Sequence, residues 1–188
     1  PYGVLVTGIG GTGVVTVGAL LGMASHFEGK GVSVLDIAGL AQKNGAVTSH
    51  IRIADNPDDL HAVRITTGGT KLLLGCDIVV AAGPEALATV NQGVTGVVVN
   101  SHVVPTATFL ADQELDFAGE GLERRLSEAA GADRTHFVNA TRLATALMGD
   151  SIAANLFMMG YAFQKGLAPL TLAALVQAAE RNAVAVQA

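Results

Sequence analysis

Apolar and polar positions at the start of the chain follow the pattern of a strand, a helix and a second strand. A short apolar run at residues 4–7 leads into the glycine-rich residues 8–13, and an apolar helical stretch continues to about Ala24. A second apolar run, residues 32–36, follows two glycines that end the helix. A glycine-rich turn between a strand and a helix is typical of a βαβ unit, and the pattern predicts one here.

Strict alternation of residue types predicts a half-buried strand over residues 46–54. Its two faces are Val47, Ser49, Ile51 and Ile53 on one side and Thr48, His50 and Arg52 on the other. A turn at residues 56–59 follows, and residues 62–66 are predicted to return antiparallel to the strand. The two segments together predict a β-hairpin.

Three further apolar segments, residues 78–82, 94–100 and 135–139, predict the remaining strands. Amphipathic stretches predict helices that begin after Pro84, near Leu122, at Asp150 and at Thr171. Strands that are apolar throughout are typical of parallel sheets covered on both faces. We therefore predict an α/β fold: a Rossmann-like, mainly parallel, doubly wound sheet with a hairpin insertion and a helical C-terminus.

Size, charge and cysteine content narrow the class of protein. The 188 residues suit a single domain, 1–188, and a start at Pro1, one residue before the first strand, suggests a domain excised from a longer multidomain protein. A net charge of −5 without a basic cluster argues against nucleic-acid binding, and no apolar run is long enough to span a membrane. The one cysteine, Cys76, excludes a disulfide framework and indicates a reducing, cytoplasmic location.

The glycine-rich turn leaves two interpretations open. Gly8, Gly10 and Gly13 match the G-x-G-x-x-G pattern, in which backbone N–H groups and a helix N-terminus approach a phosphate. Asp36 ends the second predicted strand, where a ribose-binding carboxylate of a NAD(P)- or FAD-dependent oxidoreductase would lie. The same glycines also occur where a helix packs closely on its strand, so the pattern alone favours neither a ligand nor a packing role.

The next stretch departs from a dehydrogenase. Residues 39–52, Gly-Leu-Ala-Gln-Lys-Asn-Gly-Ala-Val-Thr-Ser-His-Ile-Arg, form a polar, glycine-punctuated loop that leads into the alternating strand. Together with residues 6–16, this stretch closely resembles the gamma domain of the 2-oxoacid:ferredoxin oxidoreductases. The Gly-Leu-Ala-Gln-Lys and Ser-His-Ile-Arg segments are most similar to the indolepyruvate-type members. The resemblance is sharpest over residues 3–54.

The resemblance implies one part of a multi-component enzyme. The family converts a 2-oxoacid and coenzyme A to an acyl-CoA and CO2, with thiamine diphosphate, Mg and iron–sulfur clusters as cofactors and ferredoxin as electron acceptor. This sequence lacks the Gly-Asp-Gly signature of a Mg-diphosphate site, and one cysteine is too few for a cluster. We therefore expect thiamine-binding and iron–sulfur domains as partners, no cofactor held by this domain alone, and no turnover in isolation. A second copy of the chain is a further candidate partner.

Candidate site residues follow from the two resembling segments. Gly8, Gly10, Gly11, Thr12 and Gly13 either cradle a phosphate of coenzyme A or only shape the turn, and we expect this turn to lie close to residues 36–45. Further candidate contacts are Gln42, Lys43 and Ser49 for the cofactor and His50 and Arg52 for catalysis. His50 and Arg52 are expected to form an exposed cationic surface, the alternative being strand residues bonded to their neighbours. No metal site is predicted, and Cys76 is expected to be a buried, small apolar residue.

Overall fold

The computed structural model describes residues 1–39, 45–102 and 115–182. Within them six strands form one sheet: β1 (Tyr2–Ile9), β2 (Gly31–Ala38), β3 (Ala46–Ala54), β4 (Thr70–Gly75), β5 (Gly96–Asn100) and β6 (Thr135–Val138). The α-helices of this part are α1 (Val14–Phe27), α2 (Ile78–Ala81), α3 (Pro84–Leu87), α4 (Leu115–Ala130), α5 (Ala140–Met148), α6 (Ala154–Gln164) and α7 (Leu172–Asn182). None of these helices combines the length and apolar character that crossing a bilayer requires.

The strand order in the sheet is β2-β3-β1-β4-β5-β6. β1, β4, β5 and β6 pair in parallel, whereas β3 runs antiparallel to both of its neighbours, β1 and β2. Helices α1, α5, α6 and α7 pack on one face, and α2, α3 and α4 pack on the other. The predicted mainly parallel, doubly wound α/β sheet with C-terminal helices is confirmed.

The antiparallel strand has different partners from those predicted. β3 has the predicted limits, but it pairs with β2 along residues 31–38 and with β1 along residues 2–9. Both edges of β3 are therefore occupied, and residues 62–66, predicted as the returning strand, have no free edge to join and form no strand. The hairpin of the fold consists of β2 and β3.

The predicted strand at residues 78–82 is wrong, because this segment begins as helix α2. The Asp77 side chain accepts a hydrogen bond from the Val80 N–H at 2.9 Å and so caps the first turn of that helix. The strand that pairs in parallel with β1 is β4, whose Leu72, Leu73 and Leu74 are buried. Helix α5, which begins at an Asn139 cap, was not predicted from the sequence pattern.

Contacts at the end of α1 fasten the last helix to the sheet. The Glu28 carboxylate accepts hydrogen bonds from the N–H and hydroxyl of Thr171, at 2.6 and 2.7 Å, just before α7 begins. Lys30 Nζ lies 2.8 Å from the same carboxylate and donates to the Pro169 carbonyl oxygen. These contacts hold α7 against α1 and close the main hydrophobic core on that side.

Candidate functional site

The chain reverses its direction across the sheet between β1 and β4. These strands are adjacent and parallel, but the chain passes from β1 to β2 and β3 on one side before it returns to β4 on the other. Such a switch point opens a crevice at the carboxyl ends of the strands, where α/β proteins commonly bind ligands. Residues 8–13, the glycine loop, leave β1 at this crevice, and Cys76 and Asp77 leave β4 beside it.

Two glycines of the loop are required by its backbone and one by packing. Gly11 and Gly13 have φ angles of +83° and +89°, which L-residues with a side chain rarely adopt. A Cβ on Gly8 would lie 2.6 Å from Cγ2 of Val14 and 3.1 Å from Cβ of Cys76. Part of the glycine pattern is therefore needed for the turn and its packing, which was one of the two interpretations of the sequence.

The glycine loop lies against the start of β3, as predicted. The Gly10 N–H donates to the Gly45 carbonyl oxygen at 2.9 Å, which confirms the expected proximity at this point. Gln42 and Lys43, the two candidate contacts between Gly39 and Gly45, lie outside the described residues.

Polar contacts fix the middle of the glycine loop. The Thr12 hydroxyl donates to the Ile9 carbonyl oxygen at 2.7 Å, and the Thr12 carbonyl oxygen accepts from Asn155 Nδ2 at 2.6 Å. Gly13 is the N-cap of α1, with no side-chain cap and no acidic residue in the first turn. The first N–H groups of α1 and the positive end of its dipole therefore face the crevice without a compensating side chain.

Two hollows flank the glycine loop. The helix-side hollow, about 480 Å³, lies between the loop, the first turn of α1 and the chain at Met148, Ile152 and Leu156. The strand-side hollow, about 490 Å³, lies over the ends of β4 and β5 and includes Asp77 and Asn100. Neither hollow has a Lys or Arg among its described lining residues, and Asp150 lines both. An anion there would depend on backbone N–H groups and on neutral hydroxyl and amide side chains.

The rim of the crevice is unusually apolar for an exposed surface. Val15, Leu147, Met148 and Ile152 are exposed by 48%, 73%, 43% and 72%, and three of them line the helix-side hollow. Contiguous exposed apolar side chains mark surfaces that a ligand or another protein chain covers. These exposed apolar side chains at the carboxyl end of the strands therefore suit an interface.

Asn100 connects the elements around the strand-side hollow, a role that sequence reasoning missed. Its side-chain Nδ2 donates to Thr141 Oγ1 at 2.8 Å, and its side-chain Oδ1 accepts from the N–H groups of His102 and Ala140, both at 3.2 Å. The side chain is buried and thus fixes the start of α5 to the end of β5. A single polar residue at the carboxyl end of an apolar run was the available signal.

Cys76 lines the strand-side hollow but is not a reactive thiol. Burial, and to a smaller extent the neighbouring Asp77 carboxylate, raises the pKa of the Cys76 thiol to about 12. A thiol with that pKa is protonated at neutral pH and is a poor nucleophile and metal ligand. The expectation of a buried, small apolar residue is confirmed. In the part of the chain that the structure covers, no group of three metal-ligating side chains comes together.

The expected cationic surface is wrong for His50. Only 4% of His50 is exposed, and its Nδ1 accepts a hydrogen bond from the Ile65 N–H at 3.3 Å. Desolvation, and then the charge of Arg64, lowers the pKa of His50, so the imidazole is neutral. Arg52 donates to the Ala62 carbonyl oxygen, so both side chains hold residues 60–67 over the sheet.

The strand register also separates the two predicted catalytic residues from the glycine loop. His50 lies opposite Leu5 and Arg52 lies opposite Gly3, five residues before Gly8 on β1. At about 3.3 Å per residue, Arg52 is roughly 17 Å along the strand from the start of the loop. His50 and Arg52 are therefore not part of the crevice at the glycine loop, and their catalytic role stays a prediction.

Ser49 and Asp36 contact each other rather than the crevice. Ser49 is fully buried beneath α1, where its hydroxyl donates to the Asp36 carboxylate. Because β3 lies between β1 and β2, Asp36 is two strand spacings, roughly 10 Å, from β1. In the dinucleotide-binding fold the strand with the ribose-binding acid is next to the first strand. The topology thus argues against the NAD(P) or FAD alternative.

Comparison with known sequences places the chain in one family. A profile described as pyruvate ferredoxin/flavodoxin oxidoreductase matches residues 3–185. Indolepyruvate oxidoreductase subunit IorB of Methanothermobacter thermautotrophicus is 26% identical over 181 residues, which are 96% of this chain and 87% of that protein. The protein of the same name from Pyrococcus horikoshii is 30% identical over 104 residues, 55% of this chain. The match covers about half, 48%, of the Pyrococcus protein.

Solved structures share the fold at low sequence identity. Pyruvate oxidoreductase subunit PORC of Thermotoga maritima has a TM-score of 0.65 at 16% identity, with 96% of this chain and 84% of that chain covered. The gamma subunit of a keto/oxoacid ferredoxin oxidoreductase from Geobacter sulfurreducens has a TM-score of 0.63 at 18% identity, covering 96% and 86%. A 2-oxoglutarate:ferredoxin oxidoreductase from Magnetococcus marinus has a TM-score of 0.65 at 15% identity, covering 96% of this chain and 27% of that one.

The predicted resemblance to the gamma domain is confirmed by both kinds of comparison. The profile spans nearly all of the chain, and the similar folds include a gamma subunit and a segment of a longer chain. The chain belongs to the pyruvate ferredoxin/flavodoxin oxidoreductase family.

Proposed function

We propose that the chain is the gamma component of a 2-oxoacid:ferredoxin oxidoreductase of the indolepyruvate type. Such an enzyme converts a 2-oxoacid and coenzyme A to an acyl-CoA and CO2 and passes the electrons to ferredoxin. Membership of the family supports the reaction class. The relatives named as indolepyruvate oxidoreductase subunits favour indolepyruvate as the 2-oxoacid.

The cofactor chemistry is proposed to reside on partner domains. The sequence contains one cysteine, whereas an iron–sulfur cluster needs about four ligands, and the pKa of this thiol is raised to about 12. The residues of this chain therefore do not fit a cluster, and the sequence has no Gly-Asp-Gly segment for a Mg-diphosphate. Thiamine diphosphate, Mg and the clusters are accordingly assigned to the thiamine-binding and iron–sulfur partners, and this chain alone is inactive.

The chain is proposed to contribute the crevice at the glycine loop to the binding of coenzyme A. The observation that carries this proposal is the helix-side hollow, where an uncapped helix N-terminus meets apolar side chains. Backbone N–H groups suit a phosphate, and the apolar lining suits the pantetheine arm. The structurally similar Magnetococcus enzyme was solved with coenzyme A and succinyl-CoA bound, which supports the same ligand class here.

A second candidate function, docking without a ligand, is favoured by the apolar rim. Val15, Met148 and Ile152 would be covered by a partner domain in the assembled enzyme, and the glycine loop would then only shape the turn. The two candidates differ in one measurable property. Only the first gives the isolated chain an affinity for coenzyme A.

The test is calorimetric titration of the 188-residue chain with coenzyme A, NAD and NADP. The critical variant is Gly11→Ala, and its matched control is Gly93→Ala. Both glycines have positive φ angles, +83° and +73°, and neither would bring a Cβ within 4 Å of another group. The two substitutions therefore impose similar backbone strain, of about 1–2 kcal/mol, at different places.

Binding of coenzyme A that Gly11→Ala weakens and Gly93→Ala preserves is the expected result. Equal affinity in both variants would remove the glycine loop from the binding site. No affinity of the wild-type chain for coenzyme A, NAD or NADP would favour docking without a ligand. Tight binding of NAD or NADP would contradict the proposal.

A further inference from the structure

Asn155 is a buried amide that reaches the glycine loop from another element of the fold. Only 7% of Asn155 is exposed, and its Nδ2 donates to the Thr12 carbonyl oxygen at 2.6 Å. The two residues are 143 positions apart in the sequence. This single bond therefore ties the start of α6 to the turn before α1.

The local structure places Asn155 for this contact. The Asp150 carboxylate accepts from the Ile152 N–H at 3.0 Å and caps a short 3-10 turn, Ser151–Ala153, that leads directly into α6. Asn155 is the second residue of α6, so its side chain projects from the first turn of the helix. The position of the Asn155 side chain is therefore set by the backbone that the Asp150 cap fixes.

The bond determines which way the peptide between Thr12 and Gly13 faces. In a trans peptide the C=O and N–H point in opposite directions, so a carbonyl held by Asn155 directs the Gly13 N–H away from it. Glycine permits many backbone conformations, and a loop with Gly10, Gly11 and Gly13 needs an external partner to keep one of them. A reversed peptide would present an oxygen atom where an anion needs a donor.

The same side chain lies at the boundary between the two hollows. Asn155, Thr12 and Gly11 line both the helix-side and the strand-side hollow. The glycine loop thus has open space on both sides at Gly11 and Thr12, so packing alone does not fix its conformation there. The hydrogen bond from Asn155 is the contact by which α6 fixes this part of the loop.

We propose that Asn155 is a positioning residue: by donating to the Thr12 carbonyl it fixes the glycine loop, and it thereby sets the affinity of the crevice for an anionic ligand. The effect on affinity rests on the proposed function, whereas the effect on the loop does not. Two readouts separate them. Hydrogen exchange of the amides at residues 9–13 reports the loop without any ligand, and calorimetry with coenzyme A reports the affinity.

Three variants test the need for a donor at this position. Asn155→Leu keeps the approximate shape of the side chain but has no donor. Asn155→Asp replaces the donor by a carboxylate, which repels the Thr12 carbonyl when ionised and donates to it again when protonated. Asn139→Asp is the matched control, since Asn139 accepts a hydrogen bond, from the Arg142 N–H, and a carboxylate accepts it equally well.

Each variant is compared with the wild type at every pH between 8 and 5, because the ionisable side chains of Asp77, Asp150 and His102 line the strand-side hollow in all of them. We expect loop exchange about tenfold faster in Asn155→Leu at all pH values. In Asn155→Asp we expect a similar increase at pH 8 that declines toward pH 5, because burial and the facing Thr12 carbonyl oxygen disfavour the charged form of the introduced carboxyl group. Asn139→Asp should match the wild type. A tenfold change corresponds to about 1.4 kcal/mol, the size of one lost hydrogen bond.

The affinity for coenzyme A should fall about tenfold in Asn155→Leu and recover with acid in Asn155→Asp. The role of the donor would be overturned if the loop amides of Asn155→Leu exchanged at the wild-type rate. It would also be overturned if exchange in Asn155→Asp were as fast as in Asn155→Leu at every pH. If the loop responds as expected and the wild type does not bind coenzyme A, the proposed function fails and the positioning role stands. If the wild type binds coenzyme A, and Asn155→Leu speeds exchange of the loop amides but binds coenzyme A as tightly as the wild type, the link between loop and ligand is refuted.

Discussion

Replacing Gly8 and Gly10 separately by alanine tests which glycine of the loop is required by close packing. A Cβ on Gly8 would lie 2.6 Å from Cγ2 of Val14 and 3.1 Å from Cβ of Cys76. Val14 is 2% exposed, and a valine in a helix has essentially one χ1 rotamer, so it cannot swing aside. A Cβ on Gly10 would make only ordinary contacts, at 3.6 Å to the Gly45 carbonyl oxygen and to Val47.

The size of the effect follows from these distances. Overpacking a buried site by one methyl group costs about 1–3 kcal/mol, so we expect Gly8→Ala to lower the free energy of unfolding by about 2 kcal/mol. Gly10 keeps its N–H bond to the Gly45 carbonyl oxygen after substitution, and Gly10→Ala should change the free energy of unfolding by less than about 1 kcal/mol. For a chain of this length, 2 kcal/mol lowers Tm by roughly 4–8 °C.

Urea and thermal unfolding, followed by circular dichroism, measure both variants against the wild type. The reasoning predicts a clear loss for Gly8→Ala and a small change for Gly10→Ala. Equal stability of the two variants, or a larger loss in Gly10→Ala, would refute the assignment of Gly8 to packing.

Three further predictions concern titratable groups outside the loop. Burial raises the pKa of Glu28, but hydrogen bonds from Lys30 and Thr171 and the charge of Lys30 together outweigh it and hold the pKa below its usual value. Glu28→Gln should therefore destabilise the chain at neutral pH, and the difference should shrink in unfolding scans as the pH falls below about 4.3, the usual pKa of a Glu carboxyl group. Because the pKa of His50 is lowered in the folded state, the unfolded state binds the extra proton, and Tm should fall as pH drops below about 6.5; His50→Gln should flatten that profile. Cys76 should resist iodoacetamide in the folded chain at pH 8 and react once urea unfolds it, since its pKa is about 12.

Each of these predictions has an outcome that would contradict it, and the His50 prediction also has a control variant. His61 is exposed, so His61→Gln should leave the pH profile of Tm as it is in the wild type. A His50→Gln profile as steep as that of the wild type would contradict the buried, neutral imidazole. Rapid labelling of Cys76 in the folded chain would contradict its burial, and a Glu28→Gln difference that persists in acid would assign the loss to packing.

The first half of the fold was predictable because its signals are local. The apolar run of β1, the glycine turn, the helix α1 and the alternation of β3 each occupy a short window of sequence. The partners of β3 depend on which edges are free, and that is decided by distant strands. Residues 72–74 and 78–80 are both apolar, and the Asp77 cap, which competes with extension of the strand, decides that the second is helical.

The site was predictable in part for the same reason. The glycine loop has a pattern of its own, whereas a lone Asn100 or Asn155 carries no periodic signal before the fold brings it to its partners. His50 lies on the polar side of an alternating strand, which predicts exposure. Its burial arises because residues 60–67 lie over that face, and no pattern in β3 itself reports this covering segment.

We propose that this chain contributes to 2-oxoacid oxidation only within a larger assembly. The direct measurement is benzyl viologen reduction with indolepyruvate, coenzyme A, thiamine diphosphate and magnesium, by the purified chain and by the complex that copurifies with it from its own cells. We expect the complex to reduce benzyl viologen only when both substrates are present, and the chain alone to reduce none. Turnover by the 188-residue chain in isolation, or a copurified complex inactive with every 2-oxoacid supplied, would contradict it.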